Sequence, residues 1–133
     1  MIALELLLTK QGDKVNETLP TRAEAFLGWT GFWAVENFAD RIQKIYGKRC
    51  KLVHQGERDL IKRKDLLFTD DLLFNLLVNI VGHHLIFSNK ESIIEFSNKV
   101  QAEHLLGVKP KTRPKTLHYV HNYYSEEILR INC

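Results

Sequence analysis

The chain has 133 residues, a net charge of +3, and ordinary apolar and charged fractions of 44% and 26%. One domain of this size buries roughly two-thirds of its unfolded surface and needs no metal or disulfide framework. Cys50 and Cys133 are too few and too oddly placed for a disulfide scaffold, no run reaches the ~18–20 apolar residues of a membrane span, and no basic segment precedes the first apolar residues as in a secretory signal, so a reduced, cytoplasmic protein without membrane contact is expected. The mild positive charge permits a phosphate-bearing partner without demanding one.

Residues 2–10, opening Ile2-Ala3-Leu4-Glu5-Leu6, read as a short apolar helix, and its start almost at Met1 suits a piece of a longer parent. Gln11 to Pro20 is polar with a Gly-Asp pair and reads as a loop. Thr21 and Glu24 form a capping box for a short helix to about Leu27, which Gly28-Trp29-Thr30-Gly31 breaks. Thr30 then caps a helix from Phe32 to about His54, with Gly47 as a weak point where a bend is expected. Gln55 to Lys64 reads as a charged surface connection. Thr69-Asp70-Asp71 starts the strongest helix, acidic where the helix dipole favours it and apolar nearly all round as far as Phe87. Ser88 to Glu91 offers a capping box for a helix that stops at Gly107. Trp29 and Trp33 read as core. The pattern divides the chain into a helical domain, 1–107, and a basic and aromatic tail, 108–133, that begins as an extended linker. Strand periodicity and internal repeats are absent, so the fold class is all-α, a small helical bundle.

Phe38, Ile42, Ile45, Tyr46, Leu52 and Val53 mark one apolar stripe, and Arg49 falls on it. An inward arginine needs a partner, because desolvating a guanidinium costs several kcal/mol, roughly, before pairing offsets it. Lys48 and Lys51 take the outer face. Residue types leave two readings open. In one, Arg49 pairs with a buried acid and His54 and Gly56 simply end the helix. In the other, Arg49 and His54 are a functional pair.

Tyr46-Gly47-Lys48-Arg49-Cys50-Lys51-Leu52-Val53-His54-Gln55-Gly56 resembles the Rx4-6H motif of HEPN domains, in its Apea-like form, with Gln55 inserted before the glycine. Ala3-Leu4-Glu5-Leu6-Leu7 resembles the opening helix of that family, and Leu19-Pro20-Thr21-Arg22-Ala23-Glu24-Ala25-Phe26-Leu27-Gly28 resembles the segment that follows it. The resemblance implies a HEPN-type bundle, no cofactor and no metal, RNA as substrate, and a homodimer. It implies metal-independent cleavage in RNA processing or defence. The ribose 2′-hydroxyl attacks the phosphate and leaves a 2′,3′-cyclic phosphate and a 5′-hydroxyl. Arg49 would bind the phosphate as a permanently charged fork, and His54 would act as acid and base, the role an imidazole side chain suits near neutrality. Lys48, Cys50 and Lys51 flank the arginine as RNA contacts. The alternative is a non-catalytic HEPN module that binds RNA or dimerises within a larger protein, and a plain helical interaction domain with a structural Arg49 remains a third.

A geometric constraint and one departure from the family pattern matter. Five helical residues separate Arg49 from His54 by about 140° in rotation and about 7.5 Å in rise, so one regular helix does not aim both at one point, and two copies meeting at this helix are expected to share a site. Cys50 stands where the family usually has a polar residue and is a poorer hydrogen-bond former; its basic neighbours would favour a thiolate. His83 and His84 are adjacent, so they do not ligate one metal together, and one is expected at the bundle edge and one in solvent. Lys109, Lys111, Arg113 and Lys115 with Tyr119, Tyr123 and Tyr124 read either as a solvated tail or as a strip for single-stranded RNA.

Overall fold

A computed structural model describes residues 1–27, 38–109, 111–114 and 117. Within them run five helices and no strand: α1 (Ile2–Leu8), α2 (Val15–Leu27), α3 (Phe38–Gln55), α4 (Arg63–Gly82) and α5 (Lys90–Leu106). The all-α bundle is organised around α2, against which α1, α3, α4 and α5 all pack. Among the described residues no helix is long and apolar enough to cross a membrane.

The segment Val15–Pro20 is helix, not loop. Val15, Leu19, Ala23, Phe26 and Leu27 carry an apolar face at helical spacing, and all but Val15 are buried. That burial outweighs Pro20, which lacks the N–H that would bond the Asn16 carbonyl. The carbonyl is met instead by Gln43 Nε2 on α3, at 3.5 Å. Because the helix is continuous, Thr21 is no cap; its hydroxyl donates to the Glu17 and Thr18 carbonyls. Glu24 reaches across to the start of α3, where it accepts from the Ala39 N–H at 2.9 Å. A carboxylate there meets the positive end of the α3 dipole. The expected break at Gly28–Gly31, the Thr30 cap, and Trp29 and Trp33 lie outside the described residues.

Leu4 and Leu8 of α1, Phe26 of α2, Ile42 of α3, Leu72 and Leu76 of α4 and Val100 of α5 meet in one core. Phe26, Phe87 and Phe96 form an aromatic triangle with centroids 4.9–5.2 Å apart. Buried Arg22 ties three elements together: its Nη1 donates to Leu8 O at 2.7 Å and meets Asp13 Oδ2 at 2.6 Å, and its Nε reaches Asn98 Oδ1 at 3.4 Å.

The fourth helix begins at Arg63 rather than Thr69, and ends at Gly82 rather than Phe87. Its apolar residues are split between two faces: Phe68, Leu72 and Leu76 are buried, while others stay in water. Asp71, Asn75 and Asn79, four residues apart, point inward, with Asn75 and Asn79 fully buried. Asn75 Nδ2 donates to Asp71 O at 2.8 Å and Asn79 Nδ2 to Asn75 O at 2.9 Å. His83 extends the row, its Nδ1 3.0 Å from Asn79 O, while His84 is exposed. On the outside, Leu66 is 57% exposed, Phe74 42%, Leu77 44% and Val81 70%.

The cap of α5 is Asn89, one residue later than expected: its Oδ1 accepts from Ser92 N at 2.8 Å and Ser92 Oγ accepts from Asn89 N at 3.2 Å. The helix ends at Gly107 in the left-handed region, with Gly107 N bonded to His104 O and Val108 N to Glu103 O, both at 3.2 Å. The chain beyond then turns back rather than running on as an extended linker. Glu103 accepts from the N–H groups of Lys111 and Thr112, each at 3.0 Å, and from the Thr112 hydroxyl. Leu117 is buried in the core.

Candidate functional site

The α3 helix runs unbroken through Gly47 to Gln55. Its apolar stripe is buried at Ile42 and Ile45 and partly at Tyr46, but stops there: Leu52 is 40% exposed and Val53 62%. The last turn therefore projects past the core, and every residue from Lys51 to Gln55 is exposed. Gly56 closes the helix in the left-handed region, its N–H bonded to Leu52 O at 3.2 Å. An L-residue there would carry strain.

Arg49 is half-buried, and its Nη1 lies 2.9 Å from Glu5 Oε1 on α1, with the guanidinium carbon 5.7 Å from the Tyr46 ring centroid. Glu5 Oε1 is buried and makes no aligned hydrogen bond, so the pair is held by charge and proximity. A guanidinium has five N–H donors. One contact at Nη1 orients the fork and leaves donors on its other nitrogens. Burial pushes the Tyr46 phenol up, and the neighbouring Cys50 and Glu5 act in the same direction. Cys50, a free thiol one turn after Tyr46, is half-buried rather than presented to solvent.

Lys48 leaves the outer face and binds the buried Asp65 of α4, Nζ to Oδ2 at 2.8 Å. The same oxygen accepts from the Lys62 N–H at 2.9 Å and so caps α4. Burial pushes the Asp65 carboxyl up, but Lys48, the Lys62 N–H and the charge of Lys64 outweigh it and hold the carboxyl below its ordinary range. Arg41, one face along, stacks over Phe68 at 4.2 Å.

Of the five expected site residues, then, Arg49 faces α1, Lys48 faces α4, Cys50 is half-buried, and Lys51 and His54 are open to water. One copy does not bring Arg49 and His54 to a common point, since a continuous helix keeps them about 140° apart. Sequence reasoning missed Glu5 and Asp65 as partners. Glu5 is 44 positions from Arg49 and Asp65 follows a run of three cations, so only their acidity signalled them. Among the described residues no group of three or more His, Cys, Asp or Glu could hold a metal ion.

Comparison with protein-family models, with curated proteins and with solved structures found no match. The likeness to HEPN domains therefore rests on the three ordered segments of the sequence.

Proposed function

We propose that the chain is a HEPN-type, metal-independent endoribonuclease that works as a homodimer, with Arg49 and His54 of two copies lining one cleft. The observation that carries the reading is the end of α3, where an oriented, half-buried arginine is followed by an exposed histidine in a turn that projects beyond the core. Exposed Leu52 and Val53 sit beside His54 and supply apolar surface for a second copy. In the reaction His54 accepts the 2′-hydroxyl proton as the 2′-oxygen bonds to phosphorus. The bond from phosphorus to the 5′-oxygen breaks, and that oxygen takes a proton from a histidine. Arg49 holds the phosphoryl oxygens as charge builds on them.

The test is cleavage of a labelled single-stranded RNA in EDTA. Wild type should leave 2′,3′-cyclic phosphate and 5′-hydroxyl ends, and His54→Ala should lose about 10²–10⁴-fold in rate. Equal cutting by both proteins sinks the reading.

A second reading, a HEPN module that binds RNA or dimerises without cutting, is favoured by the Glu5 contact to Arg49 and by the divergence of Arg49 from His54 within one copy. RNA retention that weakens with salt, without cleavage, selects it.

A further inference from the structure

The positive charge of the chain is gathered at one end of the bundle. From Lys44 to Lys64 there are eight Lys and Arg against two acids, Glu57 and Asp59, a net +6 within a chain whose total is +3. The remainder is therefore net −3. Three of the eight are engaged: Lys44 with Asp40 at 2.8 Å, Lys48 with Asp65 at 2.8 Å and Arg49 with Glu5 at 2.9 Å. The other five, Lys51, Arg58, Lys62, Arg63 and Lys64, are all exposed, and none makes an ion pair among the described residues. Asp65, the next acid in the chain, is buried and already shared between Lys48 and the Lys62 N–H, so it is a poor counter-charge for a ligand-facing surface.

The arrangement is self-opposed. Lys62, Arg63 and Lys64 crowd the first turn of a 20-residue helix, at the end whose dipole repels cations. The connection that leads there passes through the left-handed region at both Gly56 and Asp59, and the Lys48–Asp65 pair holds the first turn of α4 against α3. Charges that repel one another and the helix are relieved by a polyanion laid across them.

We infer that Lys51, Arg58, Lys62, Arg63 and Lys64 form the surface on which the RNA backbone docks, leading the strand to His54. This deepens the ribonuclease reading and rests on RNA being the ligand. These contacts are to phosphate, so they give affinity and orientation but little sequence preference.

The experiment measures anisotropy of a labelled single-stranded RNA of about 20 nucleotides, on the His54→Ala background so that the RNA stays intact, from low to physiological salt. One variant carries R58Q, K62Q, R63Q and K64Q. A control carries K10Q, K14Q, K90Q and K99Q, which removes the same charge from exposed positions elsewhere. Far-UV circular dichroism confirms that each is folded, and R58Q with K64Q alone serves as a milder variant. The patch variant should bind at least about tenfold more weakly. Its slope of log affinity against log salt should be shallower by about 3, since each single-strand phosphate left without its cation lowers the slope by about 0.7. The control should match the parent. Equal losses in both variants, or no loss in either, overturn this inference alone. Binding to phosphatidylserine vesicles but not to RNA overturns it together with the ribonuclease reading. Patch-dependent RNA binding by a wild type that does not cut leaves this inference standing and removes only the catalytic step.

Discussion

Placing a glutamate at Leu77 tests the outward apolar face of α4. Leu77 is 44% exposed and lies between Phe74 and Val81 on the outward side, while Leu72 and Leu76 with Asn75 and Asn79 fill the inward one. Leu66, Phe74, Leu77 and Val81 together leave in water the equivalent of about two whole side chains per copy, or about 3–6 kcal/mol, and twice that in a symmetric pair. That sum is comparable with the ~4–15 kcal/mol lost on association, so in the proposed homodimer Leu52, Val53 and polar contacts would decide the final affinity. If this face meets its counterpart in the proposed homodimer, Leu77→Glu removes one apolar side chain per copy from the contact and buries an unpaired carboxylate on each side. At about 2 kcal/mol or more for each copy, the dissociation constant should rise by about 10³-fold. Sedimentation velocity across a concentration series should show wild type moving from monomer to dimer at micromolar concentrations and Leu77→Glu remaining monomeric. The monomer itself should melt at an unchanged temperature, because Leu77 is already half in water. A wild type that stays monomeric at tens of micromolar, or a variant that associates as readily as wild type, refutes the reasoning.

Asp65→Asn keeps the shape of the α4 cap but removes the charge facing Lys48, and should cost about 1–2 kcal/mol, or about 4–7 °C in a melting scan of a chain this long. Less is lost than for a fully buried pair because Lys48 is about one-third exposed and can rehydrate. The folded Asp65 carboxyl lies below its ordinary 3.8, so its stabilisation is complete above that value and fades as pH falls through the depressed folded one; urea midpoints should drop below about pH 4 and depend less on pH in Asp65→Asn. Asp13, held low first by its bond to Arg22, contributes with the same sign in that window. Phe26→Ala opens the aromatic triangle and should cost about 3–5 kcal/mol, or about 11–18 °C, with the secondary structure retained by circular dichroism.

Local chemistry made much of the fold readable in the chain. The αL glycines at 56 and 107 end their helices where helical periodicity stops, because few other residues take that conformation without strain. The apolar spacing of α1, α3 and α5 foretold helices and hence an all-α bundle. What local pattern could not supply was which face looks inward. Residues 72–81 are apolar enough for either side of α4 to be core; the side carrying Phe68, Leu72 and Leu76 is the buried one, and Asn75 and Asn79 beside them are satisfied there by bonds to the carbonyls four residues back. Polarity and the Gly12-Asp13 pair argued for a loop over Gln11 to Pro20; Gly12-Asp13 does lie in the turn before α2, but from Val15 on, Leu19 buried against the core and Gln43 meeting the Asn16 carbonyl keep the chain helical through Pro20.

The site divides in the same way. Its residue types and their spacing were legible on α3 itself: an arginine on the apolar stripe, a histidine five residues on, a glycine just past the helix end. Their environments came from elsewhere in the chain. Glu5 turns Arg49 toward α1, Asp65 withdraws Lys48 from the surface, and the end of the core at Tyr46 leaves Leu52, Val53 and His54 in water. Helical periodicity follows from backbone geometry within a few residues, whereas burial and charge pairing depend on segments tens of residues apart meeting, so only the folded chain assigned those partners.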